Sequence, residues 1–297
     1  MLVPAYFGAN IRSSLHVLAA ILAVVLPSMT SAAALELHRE RAAATDLAVT
    51  GHLAGLREGE TRYVRWADLW SLPTERLKLH AEFFSGEQEV TIVFLSDLWK
   101  ALPCAADADT ALAICGDGYA SVFRAEVIAD CRPFLVLEIN GLGPEKWPPP
   151  ELRFNPAPYV ISVSATIAPA VAQLLDPGHK KPWDVTTLEF VNFSERFYGA
   201  YAGKWSALSA RAAAGREIWI NSCASCHPGP GRIFGGTKSG QPFPVLEALA
   251  SCNADFFKLY VHDPRAANPA AKMEAHSHYN DTQLDELVAF VIAEQAK

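Results

Sequence analysis

Past residue 34, this 297-residue chain has no apolar run long enough to cross a bilayer, which takes around 20 residues. It has no block of lysine and arginine either, so nucleic acid is not an expected partner. Methionine is scarce: there are three, and Met1 and Met29 fall in the first 34 residues, which leaves Met273 alone in the remainder. No Ser/His/Asp set and no paired carboxylates can be picked out, so the patterns of nucleophilic and acid–base catalysis are missing.

What the chain does have begins with a leader. Arg12 precedes the apolar run LHVLAAILAVVL, and small residues follow at Ala32 and Ala34. That positive, apolar, small-residue order is the layout of a secretory signal peptide over residues 1–34, cleaved near Ala32–Ala34. The expected product is exported to a bacterial periplasm and keeps no stable membrane span. Without the leader it carries 24 Lys+Arg against 32 Asp+Glu, a formal charge of −8. Residues 209–297 hold 8 basic and 9 acidic side chains, so nearly all of this charge belongs to the first part and biases which partners approach it.

The length suits two domains, with a division near residue 205. Residues 35–205 read as mixed α and β. VRWADLWSLP and VFLSDLWKALP each predict a short helix, with Asp68 and Asp97 suited to its start. Strands are expected at 89–95, 110–115, 119–127, 133–140, 159–167 and 184–193, which are rich in β-branched and aromatic residues. GDG at 116–118 and NGLGP at 140–144 supply turn glycines. The GHKKPWD segment, 178–184, reads as a solvated loop rather than a docking or anion loop.

Residues 206–297 read as helical. SARAAAGREIWIN runs into a cysteine motif, and residues 254–262 follow Asn253, a good N-cap, and stop before Pro264. Leu284, Leu287, Val288, Val291 and Ile292 share one helical face. Thr282 and Asp285 match the capping-box spacing at the start of that helix.

The motif is CASCH: Cys223, Cys226 and His227. C-x-x-C-H is the attachment signature for c-type haem. Two cysteines three apart on one turn can both form thioethers to a single porphyrin edge, and the adjacent imidazole then faces the iron. A thioredoxin-type pair would sit beside a βαβ pattern, a zinc site would want a second Cys or His pair, and a plain disulfide leaves His227 unexplained. Elimination makes Met273 the candidate for the opposite axial position, with His276, His278 and His262 as competitors. Met/His ligation raises the reduction potential. Six cysteines fit an oxidising compartment. The four others, Cys104, Cys115, Cys131 and Cys252, allow three pairings that spacing does not choose between. GPGRIFGG at 229–236 follows the haem motif rather than a strand, so it is not read as a phosphate loop. Arg232 is a candidate partner for a haem propionate.

With GREIWINSCASCH and Met273 in place, residues 209–297 resemble a class I cytochrome c domain. The resemblance implies that Gly215 and Trp219 on the first helix meet Leu287 and Phe290 on the last. It also implies that a proline carbonyl, from Pro228 or Pro230, orients the haem histidine. More faintly, LSDLWKALP, CGDGYASVF and PFLVLEINGLG, within roughly residues 60–195, are similar to the molybdopterin-binding domain of sulfite-oxidase-type enzymes. That family's molybdenum-ligating cysteine precedes the segment matching EVTIVFLSDLW, and residues 75–90 contain no cysteine. The likeness therefore implies the fold without molybdopterin, and Asp117 and Tyr119 read as turn and core residues.

The expectation is an α+β protein: a sulfite-oxidase-like domain followed by a small all-α cytochrome c domain with one covalent haem c. It would carry single electrons for a periplasmic redox protein or dehydrogenase. The alternative is a molybdenum oxidoreductase with a fused haem acceptor.

Overall fold

Strands β1 (Leu47–Gly51) and β2 (Arg62–Val64) lead into a single helical turn, α1 (Trp66–Leu69). Strands β3 (Glu75–His80) and β4 (Glu87–Phe94) follow, then helix α2 (Leu95–Ala101). The hairpin β5 (Thr110–Cys115) and β6 (Ala120–Arg124) runs into α3 (Ala125–Cys131). Strands β7 (Phe134–Ile139), β8 (Val160–Ser162) and β9 (Val185–Val191) complete two sheets. Their orders are β2-β1-β9-β5-β6 and β3-β4-β7-β8. The computed structural model describes residues 34–80, 86–147, 155–171, 175, 181–198, 207–230 and 235–293. The expected leader, all but Ala34, and Arg232 lie outside them, as do residues 178–180 of the GHKKPWD segment.

The rest is helical: α4 (Ala210–Asn221), α5 (Phe243–Cys252), α6 (Ala254–His262), α7 (Pro264–Ala267) and α8 (Asp281–Ala293). The chain is thus a mixture of α and β with two sheets. Among the described residues, no helix is long and apolar enough to cross a membrane.

The uninterrupted apolar run TALAIC is explained by β5 being covered on both faces. Side chains alternate across a strand. Ala111, Ala113 and Cys115 therefore enter the core between the two sheets, with Leu135, Leu137 and Ile161 of the second sheet. Leu112 and Ile114 face the other way and pack in the core of the helices, with Trp219, Leu287 and Phe290. The same sheet is an inner wall for one core and a floor for the other.

Several expectations change. The strand expected to continue through residue 127 stops at Arg124, and residues 125–131 turn helical, burying Ile128 and Cys131 at i and i+3. Only residues 160–162 of the 159–167 run are strand. Neither Asp68 nor Asp97 caps its helix; the N-caps are Arg65 and Phe94, with no side-chain cap bond. Asp68 instead meets His38 Nε2 at 3.2 Å, and Asp97 lies 3.6 Å from Lys100 Nζ.

The last helix does carry a capping box, two residues earlier than expected. Asn280 Oδ1 accepts from the Gln283 backbone at 3.0 Å, and Gln283 Oε1 accepts from the Asn280 backbone at 3.0 Å. Asp285 is thereby free of a capping duty and pairs with Arg211 at 2.6 Å and Lys258 at 3.1 Å. At Asn253 and Ser209, the side chains do cap α6 and α4, accepting from Phe256 and Ala212 backbone N–H groups. All six cysteines are free thiols.

Candidate functional site

Helix α4 points the cysteine motif at the sheet. At Gly215 an added Cβ would strike the carbonyl oxygen of Glu286, so α4 and α8 cross backbone to backbone there. One turn on, the Trp219 ring stands 6.2 Å from Phe290 and 4.9 Å from Phe243, centroid to centroid. These are the α4–α8 contacts that the cytochrome resemblance implies for Gly215 and Trp219. The chain then tightens into one turn at Cys223–Ser225, where the Cys223 carbonyl accepts from Cys226 N at 3.1 Å and His227 N at 2.9 Å. A tight turn of this kind keeps both thiols and the imidazole within one short reach.

The next loop seals the turn. Gly236 N donates to Ala224 O at 2.7 Å, and Ser239 N donates to Cys226 O at 2.9 Å. Gly235 has φ of +100°, and a Cβ there would strike His227 O. Only glycine satisfies both conditions without strain.

Cys223, Cys226, His227 and Met273 all line one cavity of about 700 Å³, within the usual range of ligand sites. The apolar part of its lining includes Leu246 and Leu249 of α5 and Phe257 and Val261 of α6. Met273 is half-buried and sits in the loop before α8. Of its three histidine competitors, His276 lines the cavity, and His262 and His278 do not. His276 is buried; its ring stacks on Tyr279 at 5.6 Å, and Tyr279 shares a hydroxyl hydrogen bond with Ser222, beside Cys223.

Electrostatics narrow the chemistry. Burial pushes the Cys223 thiol up to about 12, with Cys226 adding to the shift. Burial likewise raises Cys226 to about 11; Lys238 opposes this, and Glu274 and Asp117 add to it. Thiols held this high are neutral near pH 7, the reverse of a thioredoxin-type nucleophile. Burial lowers the His227 pKa, and the backbone of Gln241 opposes it in part. The imidazole is therefore neutral, the form that binds a metal. Neither Pro228 nor Pro230 supplies the carbonyl expected for this ring: Nδ1 is buried with no hydrogen-bond partner among the described residues.

Among the described residues, one group of three His, Cys, Asp or Glu ligand atoms lies within 4.8 Å of one another: His52, Asp107 and Glu195, of which none lines the cavity. Cys223, Cys226 and His227 do not form such a group, so they are not drawn together around a single ion in the manner of a zinc site. They suit a larger body. Trp219 Nε1, on a lining residue, is buried with no partner among the described residues. Such an orphaned polar atom asks for something bound. A mainly apolar cavity, two neutral thiols along one turn, a neutral imidazole and a thioether together fit an iron porphyrin.

No family model matches the chain, and no curated protein matches it.

The cavity also has a wall that the sequence reading assigned elsewhere. Cys115, Asp117, Tyr119 and Trp183 of the sheet-forming segment line it together with the cysteine motif. The GDGY run is legible as a turn, but nothing in its spacing says what the turn faces.

Proposed function

We propose that this chain is an exported mono-haem c-type cytochrome, in which a cytochrome c domain over residues 206–297 follows a sulfite-oxidase-like domain over residues 35–205 that lacks molybdopterin. The observation that carries the reading is that Cys223, Cys226, His227 and Met273, spread over 51 positions of sequence, line a single cavity. Cys223 and Cys226 would tether the ring, and His227 and Met273 would hold its iron. Bound there, haem supplies a one-electron iron couple.

The chain's own part is to bind, orient and dry that group. Trp219 stands 6.2 Å from the His227 ring, centroid to centroid, and packs beside it. Leu246, Leu249 and Phe257 give the cavity apolar walls. Were His227 and Met273 both to hold the iron, the chain would serve as a carrier of electrons for a periplasmic redox protein or dehydrogenase rather than as a catalyst.

The test is the optical spectrum and metal content of protein made in a host that matures c-type cytochromes. Expected are a pigment that survives acid–acetone extraction, one iron per chain, no molybdenum, and a weak methionine–iron band in the far red that Met273→Ala removes while pigment stays. Apoprotein mass without pigment would falsify the reading; stoichiometric molybdenum would restore the oxidoreductase alternative.

A further inference from the structure

The sheet-forming segment does not merely lie near the cavity; it is joined to the loop that follows the cysteine motif. Gly118, at the tip of the β5–β6 turn with φ of +84°, accepts a 2.7 Å hydrogen bond from Thr237 N through its carbonyl. The approach is as close as backbone allows. A Cβ on Gly118 would strike Thr237, and one on Gly236 would strike the carbonyls of both Ser225 and Gly118. Three layers are stacked without a gap: the β5–β6 turn, the 235–239 loop, and the turn that carries the cysteines.

A single cation ties the side chains across these layers. Lys238 Nζ lies 2.8 Å from Asp117 Oδ2. It also sits 5.6 Å from the centroid of the Tyr119 ring and 5.3 Å from that of Trp183, both within cation–π range. Asp117, Tyr119, Trp183 and Lys238 all line the cavity. Lys238 belongs to the 235–239 loop and its three partners to the sheet-forming segment.

We infer that the Gly116–Tyr119 turn and Trp183 form the second wall of the cofactor cavity, with Tyr119 and Trp183 in contact with the bound ring and Lys238 as the positioning residue that closes the wall. This rests on the haem reading above. The sheet-forming segment is then part of the cofactor site and not an appended docking module. Two aromatic rings beside the attachment turn exclude water there, and water exclusion disfavours the more highly charged oxidised state of a redox centre. The wall therefore holds the reduction potential up.

The experiment uses the full-length, pigmented protein and reads circular dichroism in the Soret region, which responds to aromatic rings against the porphyrin, together with the midpoint potential. Trp183→Ala and Lys238→Met should keep covalent pigment, alter the Soret dichroism and lower the potential, Trp183→Ala more than Lys238→Met. Tyr119→Phe, which keeps the ring, should sit near the parent. Lys100→Met, which breaks the distant Asp97 pair, should move neither signal. A pigmented Trp183→Ala protein with unchanged dichroism and potential overturns the inference, and so does an equal shift in Lys100→Met. Should Trp183→Ala fail to fold, Trp183→Leu read by the same two signals decides in the same way. Absence of pigment from the unmodified protein sinks the haem reading instead, so the two failures are distinct.

Discussion

The helical segment and the sheet-forming segment meet at one cavity, yet they arrive there by different physics. The helices bring chemistry through local spacing: Cys223, Cys226 and His227 are set by one tight turn, and Trp219 by its place one turn after Gly215. The sheet brings shape through long-range pairing. Cys115 ends a strand held between β6 and β9, and register with those neighbours carries the GDGY turn to the cysteine motif more than 100 positions away. Both segments use glycine for close approach, but for different partners. Gly215 lets two helices cross, and Gly118 lets a β-turn touch a loop. A residue that binds can be found by counting along the chain, whereas a residue that covers has to be found in space.

The comparison breaks most sharply at the cysteines. Replacing Cys223 and Cys226 together with serine should abolish covalent pigment. Cys115→Ser, in the same cavity but on the sheet side, should leave it intact. Acid–acetone extraction followed by intact mass reads both, and loss of pigment in Cys115→Ser would show that the sheet supplies attachment chemistry as well as shape.

Next in size is the ion pair that anchors the start of the sheet. Asp46 is 2 % exposed, accepts from the Ala42 and Ala43 backbone, and meets Arg65 at 2.6 Å. Burial pushes its pKa up, but the Ala43 and Ala42 N–H groups and Arg65 outweigh this and leave it below the ordinary 3.8. A carboxyl with a lowered folded-state pKa adds stability that is fully present above 3.8 and is lost as pH falls through the folded value. Asp46→Ala should cost roughly 3 kcal/mol in denaturant unfolding near pH 7. The deficit against the parent should shrink below about pH 4, where the parent loses the same term.

In the helices, Gly215→Ala forces a methyl against the Glu286 carbonyl and should cost about 2 kcal/mol through overpacking. If the chain holds haem as proposed, the displaced α4 should also perturb His227, visible as a change in the optical spectrum. The sheet variant Asp46→Ala should destabilise the chain without that spectral change, which separates the two segments cleanly.

Smallest is the exposed network at the helix ends. Asp285→Asn removes the charged partner of Arg211 and one of the two carboxylates on Lys258, which keeps Asp255. Solvent-exposed pairs of this kind contribute little and are screened by salt. The unfolding midpoint should be indistinguishable from that of the parent in molar salt.

Local signals were legible wherever chemistry or helix periodicity ran along the chain. CASCH, the Asn253 cap and the Leu284–Leu287–Val291 face needed no partner to be recognised. The strand runs at 110–115 and 133–140 were visible because both faces are buried. ERLKLH, with Leu77 and Leu79 alternating against charge, carried the period of β3 but was short and highly charged. The change from strand to helix at Arg124 falls opposite Thr110, the first residue of β5, where the pairing partner runs out, and propensity does not encode that. At the last helix, the Thr282/Asp285 pattern was sound in spacing and wrong in place, because Asn280 and Gln283 offered an equivalent box two residues earlier and Asp285 was drawn to Arg211 and Lys258.

By itself the sequence determined the CASCH motif, the scarcity that singles out Met273, the helical texture after residue 205, and the α and β mixture. Each of these is a matter of residue type and short spacing. Only the tertiary structure decided that His276 shares the cavity while His262 and His278 do not, that the six cysteines are unpaired thiols, and that Asp117, Tyr119 and Trp183 face the motif. The last of these depends on β5 carrying one core on each face, and burial on two sides is a property of packed layers that no single run of residues contains.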